Sequence, residues 1–167
     1  MPQAGARETE AAERIKGLVA DAIGLEFATA ADLTAFLAYW WLGAMNENLH
    51  NPDAAAIDLD RWLIGSTIPM EHQRIFLQRV SMSPDDIVSA FDNNFGGMSF
   101  HQMVPFRNRP LLRSGPDRFA FICPQFATEK GGVDLLWLAS SEEGKRAKRP
   151  WTDDFGVLYE RYVRMVF

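Results

Sequence analysis

Apolar residues recur along most of this chain at steps of three and four, the spacing of amphipathic helices. Ile15, Leu18, Val19, Ala22 and Ile23 make one such stripe within residues 8–23, and Gly24 is the stop expected after it. Thr29 reads as the N-cap of the strongest helix, with Asp32 three residues on in the capping-box place. Leu33, Phe36, Leu37, Trp40, Trp41, Ala44 and Met45 follow as a broad aromatic stripe, so this helix is expected at the centre of the core. Asn51-Pro52-Asp53 ends it. A short helix is predicted over 59–64, and another over 69–80, with Pro69 at its first position. Ser83-Pro84-Asp85-Asp86 is a helix start: a cap, a proline, then two acids against the positive end of the dipole. That helix should run to about Phe91.

The pattern changes after the loop 92–97. Residues 101–113 and 118–123 read as extended, joined by the turn Ser114-Gly115-Pro116-Asp117, which suits a hairpin. Pro105 and Pro110 point to an edge or irregular first strand. Helix returns near 125, where Phe126, Val133, Leu136 and Trp137 mark a buried side. A charged loop occupies 140–150, and Thr152 caps a last helix with Asp153 and Asp154 in its first turn. Phe155, Leu158, Tyr159, Tyr162, Val163 and Val166 form its stripe, which reaches Phe167 without a stop signal, as expected of a chain that continues into a longer polypeptide.

The fold class expected is therefore mainly α, a helical domain with a short β-hairpin near residues 102–122. The 167 residues suit one domain, divisible into a helical part at 1–97 and a hairpin plus two helices at 98–167. An apolar fraction of 47% is enough for a packed core. Cys123 is the only cysteine, which rules out an intrachain disulfide and a Cys-rich zinc site. The polar, acidic N-terminus is unlike a signal peptide, and no apolar run is long enough to span a bilayer. A cytoplasmic protein without a membrane partner is expected.

Chemistry is sparse. His50, His72 and His101 form no ligand pair at helical spacing. Cys123 lies among apolar residues at a strand end, where packing explains it better than nucleophilic reactivity. No GxSxG, GxxxxGK[ST] or GxGxxG pattern occurs, so neither a serine hydrolase nor a phosphate cradle is supported. Asp134 precedes Glu143-Gly144-Lys145, the order used by some metal-dependent nucleases, but the Glu-x-Lys falls in a charged loop instead of an apolar strand. No catalytic residue, metal ligand or cofactor is assigned.

Net charge changes that picture in one place. The total is −5, yet residues 1–100 hold 6 Lys/Arg against 14 Asp/Glu while residues 101–167 hold 11 against 8. Any anionic partner, DNA included, belongs to the second half. Arg107, Arg109, Arg113 and Arg118 flank the hairpin, and Lys145, Arg146, Lys148 and Arg149 crowd one loop. These eight are the candidate nucleic-acid contacts, with an ordinary charged edge strand as the plainer reading. The Tyr39-Trp40-Trp41 run reads as core packing ahead of a ligand pocket.

The second half also carries a grammar of motifs: Arg109-Pro110-Leu111, Cys123-Pro124, Glu129-Lys130, Gly132 with Trp137, then Phe155, Gly156, Tyr159, Glu160, Tyr162 and Val163. Over about residues 100–167 it resembles a region of large, poorly characterised bacterial proteins in which the last helix leads into a restriction-endonuclease-like nuclease domain. The resemblance implies a non-catalytic scaffold or interaction domain, associated with a nuclease-like module in bacterial defence or DNA processing. The nuclease residues themselves are absent here. A protein partner or a homodimer through the final helix is the first expectation. A nucleic-acid-binding module is the second. A small metal-dependent enzyme, with His72 or Asp134 in a cleft with further carboxylates, is the third.

Overall fold

The computed structural model describes residues 4–47, 56–92, 104–122, 126 and 151–166. It is mainly helical with a small four-stranded sheet. Helix α1 spans Ala4–Ile23 and α2 spans Phe27–Glu47. They meet at a bend of 65°. Gly24 makes that corner with φ +82°, a left-handed conformation that a side chain disfavours. Its N–H donates to the Ala20 carbonyl at 2.7 Å. Leu25, buried, anchors the corner.

Helix α2 begins two residues before the expected Thr29 cap. Ala30 N–H already donates to the Glu26 carbonyl at 3.0 Å, so the helical ladder opens at the corner and Thr29 lies inside the first turn. Leu33 and Leu37 are fully buried, as the stripe predicts. The rest of the stripe is less so. Trp40 and Trp41 are half-buried and Phe36 is 41% exposed, so only one side of the expected broad face meets the core. Trp41 packs on Phe121, with ring centroids 5.0 Å apart.

Strand β1 (Ile57–Asp58) leads into α3 (Leu59–Trp62), then α4 (Met70–Arg79), β2 (Ser81–Met82) and α5 (Pro84–Asp92). The start of α5 is as the sequence predicts. Asp86 N–H donates to Ser83 Oγ at 3.1 Å, and Ser83 N–H donates to Asp86 Oδ2 at 2.9 Å, a reciprocal capping box. Removing the hydroxyl leaves one helix donor without its partner. Ser83→Ala is expected to cost about 1 kcal/mol in a urea melt.

Helix α6 (Val104–Asn108) replaces the first half of the expected long strand. Pro105 is compatible with this, because a first-turn residue needs no N–H partner within the helix. Strands β3 (Leu111–Arg113) and β4 (Arg118–Phe121) then form the predicted hairpin, registered Leu111 to Phe121 and Arg113 to Phe119. The turn 114–117 closes through Ser114 N–H to the Arg118 carbonyl at 2.9 Å.

The hairpin does not stand alone. The sheet order is β1-β4-β3-β2, with β1 antiparallel to β4 and β2 parallel to β3. Strand β3 is thus internal, contrary to the edge role that two prolines suggest. Pro110 precedes the strand and costs it no ladder donor, and its carbonyl accepts the Ile122 N–H at 2.9 Å. The core gathers Val19, Ile23, Leu33, Leu37, Ile57, Trp62, Phe76, Leu77, Leu111 and Phe119 from α1 to α4 and three strands.

Helix α7 (Trp151–Val166) packs chiefly on α1. Arg14 pairs with Asp154 and Glu8 with Arg161, so the two helices run antiparallel. Thr152 lies within α7 and is not its cap. The predicted helix near 125–137 and the loop 140–150 fall outside the described residues, Phe126 excepted. No single helix among the described residues is long and apolar enough to cross a membrane.

Candidate functional site

The four hairpin-flanking arginines do not converge. Arg107 lies on α6, Arg109 just after it, and both are half-buried and engaged in interactions with neighbouring groups. Arg113 ends β3 and Arg118 begins β4. Arg113 pairs with Phe119 across the hairpin, so Arg118, one residue from Phe119 in a pleated strand, points to the opposite face of the sheet. Arg118 meets Asp58 of β1 at 3.6 Å. Arg113 lies on the β2 side, where it and Arg109 act on Asp86 at the start of α5. Lys145, Arg146, Lys148 and Arg149 are outside the described residues.

Arg113 borders an open cleft of about 710 Å³, with Arg74 and Gln78 of α4, Pro84, and the turn residues Ser114 to Asp117. Its other cation is already spoken for. Arg74 Nε donates to Asp117 Oδ1 at 3.0 Å and its Nη1 to Glu71 Oε2 at 2.7 Å. These bonds, that to Asp117 first, hold the guanidinium's pKa above its usual value. The Asp86 carboxyl is a stronger acid than usual, because the Ser83 backbone N–H donates to it, with smaller help from the Ser83 side chain and from Arg109 and Arg113. A carboxyl lowered in the folded chain stabilises it above the ordinary carboxylate range, and that contribution drains away as pH falls through the folded value. Thus Asp86→Asn is expected to flatten the acid limb of stability below about pH 4 and leave the curve above it parallel to the wild type.

The local balance follows. The two arginines of the cleft stand beside carboxylates, Arg74 beside Glu71 and Asp117 and Arg113 near Asp86, so a phosphate would have to displace groups that are already in place. The sequence does not reveal this pairing, because Arg74 and Asp117 are 43 residues apart. Among the described residues no group of three or more His, Cys, Asp or Glu side chains could hold a metal ion. His72 is half-buried on α4, and His50, His101, Cys123, Asp134 and Glu143 lie outside the described residues.

Two helices leave apolar side chains in water: α7, whose stripe the sequence offers as a partner face, and α2, where Phe36 and Tyr39, read from the sequence as core packing, are exposed. On α7, the side facing α1 carries charge. Asp154, 5% exposed, receives a bidentate Arg14 guanidinium, with Nη2 to Oδ1 at 2.7 Å and Nε to both oxygens at 3.1 Å. Glu10 holds the same guanidinium from one turn away at 2.7 Å. Of the apolar stripe, Phe155, Leu158 and Val163 are half-buried while Tyr159 is 58% exposed and Tyr162 57%, and Met165, outside the stripe, is 68% exposed. Phe155 stacks on Tyr159 at 6.5 Å along the same stripe. On α2, Phe36, Tyr39 and Leu42 are exposed on a helix whose sole charges are Asp32 and Glu47. That near-absence of charge around the whole helix was the available sequence signal, since a surface helix ordinarily carries a polar face.

No protein-family profile, characterised protein or solved structure matches the chain.

Proposed function

We propose that this chain is a protein-interaction domain, and that the outward stripe of α7 is its docking face. One observation carries the reading: α7 is fastened to α1 by the buried Asp154 carboxylate on Arg14 and by a solvent-accessible Glu8–Arg161 pair while Tyr159, Tyr162 and Met165 are left more than half exposed. Exposed aromatic and methionine side chains along one helix are the composition of a protein interface. The resemblance of the second half to a region that precedes a nuclease-like module suggests the partner class: a polypeptide bearing such a module, in bacterial defence or DNA processing. No catalytic role falls to this chain in that reading.

DNA binding through the hairpin is the competing reading, supported by the basic second half and weakened by the carboxylates beside Arg74, Arg113 and Arg118. Anisotropy of labelled duplex and single-stranded DNA separates the two. Little binding is expected even at about 50 mM salt, with no response to Arg109→Glu or Arg113→Glu. Salt-sensitive binding lost in those two variants would transfer the function to the hairpin. In parallel, a photo-crosslinking residue at Tyr162 should give a discrete protein adduct in cells, and one at exposed Ile64, in the α3–α4 connection, should not.

A further inference from the structure

We infer that the outward face of α2 is a self-association surface, on which the α2 helix of a second copy lies antiparallel. This goes beyond the interaction reading and rests on a different helix. Ala28, Ala31, Ala35, Ala38 and Leu42 recur in alternating steps of three and four, with Tyr39 beside them. They lie on the side of α2 away from Leu33 and Leu37, and Ala28, Ala35, Tyr39 and Leu42 are exposed. Tyr39 is 76% exposed and Leu42 52%, a large apolar area for one helix to leave in water.

The arrangement of sizes names the occupant. The large apolar residues of the face, Tyr39 and Leu42, both lie C-terminal to Ala35, and the positions N-terminal to it at Ala28 and Ala31 are small. A two-fold axis at Ala35 sets Leu42 against Ala28 of the second copy and Tyr39 against Ala31 of the second copy, with alanine on alanine at the centre. Each protruding side chain meets a shallow place, and the backbones can approach closely. A parallel pairing would instead oppose Tyr39 to Tyr39 and leave Ala28 facing Ala28 across a gap.

Polar groups agree with the same orientation. Asp32 is the only charge on the face, and neither it nor the Tyr39 hydroxyl makes a hydrogen bond or ion pair among the described residues. Seven residues apart, they share one flank of the helix. The two-fold axis brings Tyr39 of the second copy within about 1.5 Å of rise of Asp32, where its hydroxyl can donate to the carboxylate. The parallel alternative would set Asp32 beside Asp32. Anionic partners are poorly served, because α2 has no Lys or Arg; a membrane surface is poorly served for the same reason. The face is about 22 Å long, smaller than a standard interface, so the association should be reversible with a Kd on the order of 10 µM.

Sedimentation velocity of the full chain from about 1 to about 200 µM tests this. A monomer–dimer equilibrium is expected, weakened at least 100-fold by Ala35→Glu, which puts like charges at the axis. Leu42→Lys should weaken it similarly, and unchanged circular-dichroism melts would show that both variants fold. In a Cys123→Ser background, Ala35→Cys should form a disulfide-linked dimer on mild oxidation. Ala28→Cys alone should not, but Ala28→Cys mixed with Leu42→Cys should. A monomer at every concentration overturns the proposal. So does a dimer indifferent to Ala35→Glu, or one dispersed by Tyr159→Ser with Tyr162→Ser, which would put self-association on α7. Cross-linking of Ala28→Cys to itself would overturn the antiparallel arrangement.

Discussion

Replacing Phe76 by alanine is expected to lower stability by about 4 kcal/mol, the largest single effect in this chain. Phe76 is fully buried on α4 and lies in the middle of the core cluster. Its ring stacks on Trp62, with centroids 6.4 Å apart and planes 13° from parallel. Leu77, Leu37 and Phe119, also fully buried, belong to the same cluster, so the side chain cannot be replaced by water. Truncation removes the transfer energy of the ring and leaves a cavity that the surrounding helices and sheet close only in part. Domains of this size hold about 5–15 kcal/mol in total, so the variant should sit near its folding threshold. Phe76→Leu, which keeps most of the volume, should cost only about 1.5 kcal/mol. Urea melts of both variants check the pair of values. Equal, small costs would mean that α3 and α4 do not pack around Trp62 as described.

The second large effect is expected at the α1–α7 junction. Asp154→Ala should cost about 2 kcal/mol, less than a fully enclosed pair would, because Arg14 keeps a path to water. Asp154 is buried and takes three hydrogen bonds from one guanidinium, a fixed bidentate geometry. These bonds also raise the Arg14 pKa, the bond to Asp154 being the largest cause. The loss should be local. Helix α7 packs mainly on α1, so its amides should lose hydrogen-exchange protection before those of α4 do. Salt gives a second readout. The exposed Glu8–Arg161 and Glu160–Arg164 contacts are screened at about 1 M salt, whereas the Asp154 contact is shielded from solvent. Wild-type α7 should stay protected at that salt and the Asp154→Ala helix should not. Loss of protection in both would assign the docking of α7 to its exposed charges.

Much of the helical framework was legible in the residues because the signals involved are local. Gly24 ends α1 as its position after an apolar stripe predicts, and Ser83 with Asp86 caps α5 as its spacing predicts. Ser114–Asp117 turns the hairpin as expected. Misreadings arose where a signal was weak or shared. Residues 104–108, Val-Pro-Phe-Arg-Asn, carry too short and mixed a pattern to separate an irregular strand from one helical turn, and the structure makes them α6. Strands β1 and β2 have two residues each, too short for any alternation to register.

The sequence by itself determined where most of the described helices form and stop, that a hairpin turns at residues 114–117, and that the whole is mainly α. Each of those depends on hydrogen bonds and side-chain spacings spanning at most a few residues. Tertiary structure alone decided which apolar faces are covered and which arginines have partners. Arg14 and Asp154 are 140 residues apart, and Arg74 and Asp117 are 43 apart. A stripe of Phe155, Tyr159 and Tyr162 specifies an amphipathic helix, but not the direction it faces. The side of α7 that meets α1 carries a buried, bidentate ion pair to Arg14, and a contact between residues 140 apart leaves no local spacing in the sequence to reveal it.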